Sequence, residues 1–314
     1  MQRMGFDFAA VAAPFRMQPG LRRLVTGATQ LTPNHPGARA LREKLAVLGA
    51  FADTALLVAP GFDETPALQA LCAHAAAEHP QALAWQPGER LQAGLLGWSL
   101  QGDEPCGNGP AEIGACLRAL PPRWRPAALL SLAFAEDFAV IEGATATIPW
   151  LAVCLPSHWA PEEKIGRHFA QVHAPVADNQ TLVQASAHLA RLVTGTDRWE
   201  RFVWTVTRQT RLHTHPARCD SEGWPDEDDA EAVAAQAWFR TERQTFIPLP
   251  QAGQAVFTIH VELQRLSEAI HSPQRAAALH AAIGSMSEAV LAYRGLTSAR
   301  GRLLHWLAAR AGTS

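Results

Sequence analysis

The chain has 314 residues, with 27 Lys and Arg against 29 Asp and Glu and a formal net charge of −2. That balance, without any run of basic residues, excludes a surface built for nucleic acid, and no stretch nears the roughly 18 uninterrupted apolar residues of a membrane span. A hydrophobic fraction of 48% with 18% charged residues describes a folded chain that can bury a large core.

Leu41 to Phe51 and Thr65 to Ala77 repeat apolar residues at helical spacing, the second with Glu64 or Thr65 placed to cap it. Glu112 to Leu120 predicts another helix, stopped by Pro121-Pro122. The N-terminal third is therefore expected to be mainly helical. Leu129 to Glu142 is an apolar run with Glu136 and Asp137 at its centre, expected as two strands meeting at an acidic turn. Ile148 to Leu155 reads as a strand, and Pro161 to Val172 as a helix with Glu162 and Glu163 at its positive end. Gln180 to Val193 predicts a further amphipathic helix and Phe202 to Thr207 a strand. Residues 219 to 231 form an acidic insert, expected as a solvated loop. Two strands, Trp238 to Ile247 and Ala255 to Glu262, flank a Pro- and Gly-bearing turn, and Gln264 to Ala309 reads as helical throughout. The pattern predicts an α+β protein. One domain is expected, with a helical extension over 1–125, a sheet core over 126–263 and helices over 264–314.

Five cysteines, an odd number without a CxxC pair, argue against a disulfide framework, a zinc site or an iron–sulfur cluster. The absence of CxxCH excludes haem attached covalently in the c-type manner. Met1 to Gly20 lacks a secretory pattern, so a cytoplasmic protein is expected. There is no Gly-rich phosphate loop or Rossmann fingerprint to bind NADPH, and no Gly-x-Ser-x-Gly nucleophile elbow. His213-Thr214-His215 places two imidazoles on one side of an extended segment, but no third ligand accompanies them at a metal-site spacing.

Two stretches concentrate chemistry. Residues 156 to 176 hold His158, His168 and His173 together with Lys164, one of only two lysines in the chain, and Arg167. In Arg240-Thr241-Glu242-Arg243-Gln244-Thr245, strand alternation sends Arg240, Glu242 and Gln244 one way and Thr241, Arg243 and Thr245 the other. A strand charged on both sides is not simple core filler, because buried charge is costly unless paired. Cross-strand ion pairs on an edge strand are the competing account.

The run Pro156-Ser157-x-Trp159-x-Pro161-x-Glu163-Lys164-Ile165-Gly166-Arg167, followed by His173-x-Pro175-Val176, resembles the alpha-subunit family of haem-dependent oxidative N-demethylases. So do Arg240-x-Glu242-Arg243-Gln244-Thr245, Leu249-Pro250, Phe257-Thr258-Ile259 and a weaker block over Pro14 to Leu21. Glu136-Asp137 and Tyr293-Arg294 fall where the family has similar pairs. The resemblance implies haem b in a PAS-like fold, a five-stranded antiparallel sheet with helices over one face. It also implies oxidation of a dimethylamine-like secondary amine to the primary amine and formaldehyde. Electrons would come from NADPH through separate flavin and iron–sulfur subunits, with a folate-binding subunit as a further partner.

With that resemblance, His173 becomes the expected iron ligand, since a neutral imidazole is a good axial ligand. His168 is the rival, and His158 a lesser one. Lys164, Arg167, Arg240 and Arg243 are candidates for the haem propionates, with surface ion pairs such as Glu163 to Arg167 as the alternative. Glu242 is the expected acceptor for an alkylammonium substrate. Two departures stand out: Val203 where the family has Asn in Arg-x-Asn-Trp, and His260 where it has Arg. They leave open a non-catalytic haem protein of the same fold, sensing a gas or a redox state.

Overall fold

The computed structural model describes residues 6–219, 223, 224 and 229–312. Asp220, Glu222, Asp226, Glu227 and Asp228 of the acidic insert lie outside them. The chain begins with β1 (Arg22–Arg23), α1 (Arg39–Ala50), α2 (Ala52–Ala55), β2 (Leu56–Val58) and α3 (Thr65–Glu78). Helical spacing turns Leu41, Val47 and Leu48 of α1, and Leu71, Cys72 and Ala75 of α3, into the core.

The expectation of a mainly helical N-terminal third is overturned next. Before α4 (Ala111–Ala119) come β3 (Leu83–Gln86), β4 (Arg90–Ala93), β5 (Trp98–Gln101) and β6 (Glu104–Gly107), an antiparallel sheet in chain order. Strands of four residues are too short for alternation to stand out. Left-handed Gly88, Gly97 and Gly102 turn the chain between them.

Residues 129–142 are not two strands but α5 (Arg125–Ala133) followed by β7 (Asp137–Glu142). Every residue from Ala127 to Ala133 is buried. A helix without a polar side shows the same apolar run as a buried strand. Next comes β8 (Thr147–Ala152).

Residues 161–172 likewise do not form one helix. A 3-10 turn over Pro161–Glu163 ends before Gly166, whose φ of 68° is left-handed. The backbone then runs beside β8, with Gly166 N donating to Ile148 O (2.8 Å) and Phe169 N to Ala146 O (2.7 Å). Helix resumes only as α6 (Phe169–His173), and α7 (Gln180–Gln184) and α8 (Ser186–Val193) divide at Ala185. β9 (Trp199–Thr207), α9 (Ala230–Gln236) and the long hairpin β10 (Trp238–Leu249) and β11 (Gln254–Arg265) follow. The tail is α10 (Leu266–Ala269), α11 (Pro273–Gly284), α12 (Glu288–Tyr293) and α13 (Arg300–Ala311). Where the insert rejoins the fold it is anchored, because Asp229 caps α9 and Glu231 pairs with Arg310 of α13 at 3.0 Å.

The main sheet is antiparallel in the order β1-β9-β10-β11-β7-β8-β2, so the fold is α+β. Register sets Arg201 opposite Gln244, Val203 opposite Glu242 and Phe202 opposite Arg243. Directly opposed residues share a face. One face therefore carries Trp199, Arg201, Val203, Glu242 and Gln244. The other carries Glu200, Phe202, Trp204, Arg243 and Thr245. The region from Ile165 through α8 covers part of the first face, with Phe169, Val172, Ala190 and Val193 against Phe246, Phe257 and Leu151. N-terminal helices pack against Phe138, Val140 and Trp150 of the second face, and α9 to α13 against Trp204 and Phe239.

A buried ion pair joins these layers. Lys44 Nζ of α1 lies 3.1 Å from Asp137 Oδ1 and donates to the carbonyls of Phe134 (3.1 Å) and Glu136 (2.5 Å). Asp137 Oδ2 accepts from Leu155 N at 2.6 Å. Next to it, Glu136 accepts from Thr32 N at 2.8 Å and stands 3.3 Å from His260 Nδ1. Burial pushes the Glu136 carboxyl up to about 7. The folded chain thus keeps this proton where the unfolded chain, titrating near 4.5, has lost it. Stability from this group is present at low pH and is lost as pH rises through about 7. Denaturant unfolding at pH 5 and pH 8 should show the wild type losing about 2–3 kcal/mol more than Glu136→Gln. Equal pH dependence of the two proteins would refute it.

Candidate functional site

His173 closes α6, and its Nδ1 lies 2.8 Å from Phe169 O. A carbonyl oxygen only accepts, so Nδ1 carries the proton and Nε2 keeps its lone pair. The ring packs on Phe169 with centroids 4.5 Å apart. Burial pushes the imidazole down to about 4, with the Arg201 and Lys164 cations adding to the effect. A neutral ring with its tautomer held from behind by a carbonyl has the form of a metal ligand.

The rival histidines are placed differently. His168 caps α6, its Nδ1 accepting from Ala170 N at 3.1 Å. His158 has φ 60° and bonds through its backbone to Thr214, while burial and Arg240 hold its imidazole low. His213 has the same form as His173, its Nδ1 2.7 Å from Cys154 O and its buried Nε2 without a partner, but it lies outside the α6 segment, and His215 Nε2 meets Glu162 at 3.0 Å. Among the described residues, no three or more His, Cys, Asp or Glu side chains are grouped to hold a metal ion.

The four expected cations separate. Lys164 is half-buried, near enough to bias His173, and donates to Val172 O at 3.2 Å. Arg167 is exposed. Arg240 is buried, but its donors go to Ser157 Oγ (2.9 Å), Arg211 O (3.0 Å) and Leu212 O (2.6 Å). Arg243 lies on the face opposite Glu242, paired with buried Glu200 at 3.0 Å and donating to Thr29 O at 2.8 Å. Arg240 and Arg243 therefore tie loops to the two sides of β10.

Glu242 is buried, and its Oε2 accepts from Gln244 Nε2 at 2.6 Å. Its charge is felt by three guanidinium groups, those of Arg201, Arg240 and Arg294. Arg294 donates to Trp204 O, reaches Met17 Sδ at 3.8 Å and covers the Phe15 ring. Three sequence blocks thus meet around Trp204. Val203 stands directly opposite Glu242, whereas His260 lies on the other face, opposite Arg243. Of the two departures, Val203 is the one that borders Glu242.

Arg201 was not among the site residues expected from the sequence. It shares a face with Val203 and Glu242, and its buried Nε has no hydrogen-bond acceptor. Burial lowers its guanidinium pKa, with Glu242 opposing. Trp199 Nε1, two residues away on the same face, is also buried without an acceptor. A crevice of about 20 Å³ beside Arg201 is lined by Phe169, Ala190, Val193 and Phe246. In the sequence, Arg201 is marked as the arginine of the Arg-x-Asn-Trp pattern, at an alternating strand position.

All five cysteines are free, and no helix among the described residues is long and apolar enough to cross a membrane. The model of the family described as haem-dependent oxidative N-demethylase, alpha subunit-like matches residues 67–304, well over half of the chain. The matched region runs from α3 into α13 and includes His173, Arg201 and Glu242. The chain belongs to the haem-dependent oxidative N-demethylase alpha-subunit-like family.

Proposed function

We propose that this chain binds haem b through His173 and, as the oxygenase subunit of an assembly, removes a methyl group from a small secondary amine. The observation that carries the reading is His173 itself, neutral by burial, its Nδ1–H held by Phe169 O and its Nε2 left to bind. Lys164, whose charge acts on that ring, is the cation of the expected set that would meet a propionate. Bound there, haem would activate dioxygen, and two electrons and two protons would carry the N-methyl to N-hydroxymethyl and water. That product falls apart into the demethylated amine and formaldehyde without further oxidation.

The chain's own residues would prepare this step. Glu242, oriented by Gln244 Nε2, offers its carboxylate to the substrate ammonium. Phe169, Val172 and the apolar side of α8 keep bulk water off the covered face. The electrons would arrive from NADPH through flavin and iron–sulfur partners, with a folate-binding subunit receiving the formaldehyde in a cytoplasmic complex. One observation favours a second reading. Val203, apolar and directly opposite Glu242, removes a polar group from this face, as would suit a haem sensor without catalysis.

Absorption spectroscopy separates the readings. A Soret band that shifts with dimethylamine, together with formaldehyde under reducing conditions, supports demethylation. A Soret band indifferent to amines selects the sensor, and failure to take up haem removes both. Glu242→Gln should weaken amine binding roughly tenfold or more while haem content stays unchanged. Unaltered amine affinity would remove Glu242 from the site.

A further inference from the structure

Arg201 presents an unusual electrostatic problem. An arginine set into a sheet is normally satisfied by a carboxylate or by several carbonyls, as Arg243 and Arg240 are here. Arg201 has neither, and its buried Nε lacks any acceptor. An unsatisfied buried donor on a charged group costs more than a neutral one, so such a group is retained where something binds it. Trp199 repeats the deficit on the same face of β9, where its Nε1 has no acceptor either. Glu242 is the carboxylate whose field reaches Arg201, but it is shared with Arg240 and Arg294, and Gln244 holds one of its oxygens. Positive charge is thus in excess on this part of the sheet.

The crevice at Arg201 is about 20 Å³, room for a water or for the end of a carboxylate. One wall is Phe169, the residue whose ring and carbonyl also hold His173. We propose that Arg201, on the same face of β9 as Trp199, is the receptor for a carboxylate reaching into the cleft between the main sheet and α6 to α8.

Two sources share that chemistry. One is a propionate of the cofactor, which rests on the haem reading above. The other is the substrate, which would then be an N-methyl amino acid with its ammonium on Glu242 and its carboxylate on Arg201, in place of a simple alkylamine.

Two matched pairs of probes distinguish these sources. Purified protein is titrated with haem and with haem dimethyl ester, whose propionates are blocked, and then with N-methylglycine and with dimethylamine. Wild type should prefer the free acid of at least one pair by roughly tenfold or more, the worth of a charge-assisted hydrogen bond. Arg201→Met should erase that preference, whereas Arg201→Lys, which keeps the charge but not the fork, should retain part of it. Loss within the haem pair assigns the propionate, and loss within the amine pair assigns the substrate. If Arg201→Met does not fold, a reduced preference in Arg201→Lys carries the test. No preference in the wild type, or preferences untouched in the variants that fold, overturns the proposal and leaves a bound water as the partner of Arg201. If the wild type takes up no haem, the haem reading fails, and the amine pair alone decides Arg201.

Discussion

Replacing His173 by alanine is expected to lower haem affinity about a hundredfold or more while leaving the fold intact. In the proposed reading, His173 would supply the axial ligand to the haem iron. The His173 ring is held from behind by Phe169 O, packed at a tilt against the Phe169 ring and kept neutral by burial. Loss of an outer-shell partner alone typically costs ten- to a hundredfold in metal affinity, so loss of the ligand costs at least as much. The fold should tolerate the change because α6 is a short surface helix whose cap, His168, remains in place. Titration of apo-protein with haem, followed at the Soret band, measures the effect, and circular dichroism checks the fold. His173→Ala with a wild-type ferric spectrum and affinity would make another residue the ligand. In that case His168→Ala is the variant to examine.

Lys44→Met is expected to be among the most destabilising single substitutions in this chain. Lys44 and Asp137 have side chains 0% and 1% exposed, and no water shell replaces a missing partner. Removing one member of a buried pair leaves an uncompensated charge and costs about 3–5 kcal/mol. For a chain of this size that is a fall in Tm on the order of 10 °C. Two carbonyls, those of Phe134 and Glu136, lose a donor in the same step. Asp137→Asn in the Lys44→Met background should recover part of the loss, because it removes the stranded charge while an oxygen can still accept from Leu155 N. Thermal and denaturant unfolding of the two singles and the double measure the coupling. Lys44→Met unfolding within about 1 kcal/mol of the wild type would show that the pair contributes little.

The site was legible in the sequence to different depths. His173 stands out because its motif lies next to a proline-closed turn, and the structure adds the carbonyl that fixes its tautomer. Glu242 and Arg243 were read correctly as facing opposite ways, since side chains on a strand alternate. Alternation does not say which side meets the covered cleft, so by itself it leaves Arg243 a candidate for the cofactor, while the structure pairs it with Glu200. Arg240 shares a face with Glu242, but loop carbonyls some thirty residues earlier in the chain take its donors. Arg201 is marked by its motif, but nothing local distinguishes an arginine whose buried Nε lacks an acceptor from one whose donors are all taken.

What the sequence by itself determined is local in origin. It includes the α1, α3 and α4 helices, the β10–β11 hairpin and its alternation, the apolar strand β8 and the motif blocks that mark the family. Each follows from spacing, capping or turn residues within a few positions of one another. Tertiary structure decided the rest. Pairing beside β8, with left-handed Gly166, replaced an expected helix by an extended segment, and the run expected as two strands became α5 and β7, because a helix buried all round carries the same apolar pattern as a buried strand. The burial of Lys44 and the isolation of the Arg201 guanidinium depend on groups 93 and 41 residues away, Asp137 and Glu242. Such contacts are set by sheet register and layer packing, and neither is encoded in any short window of the chain.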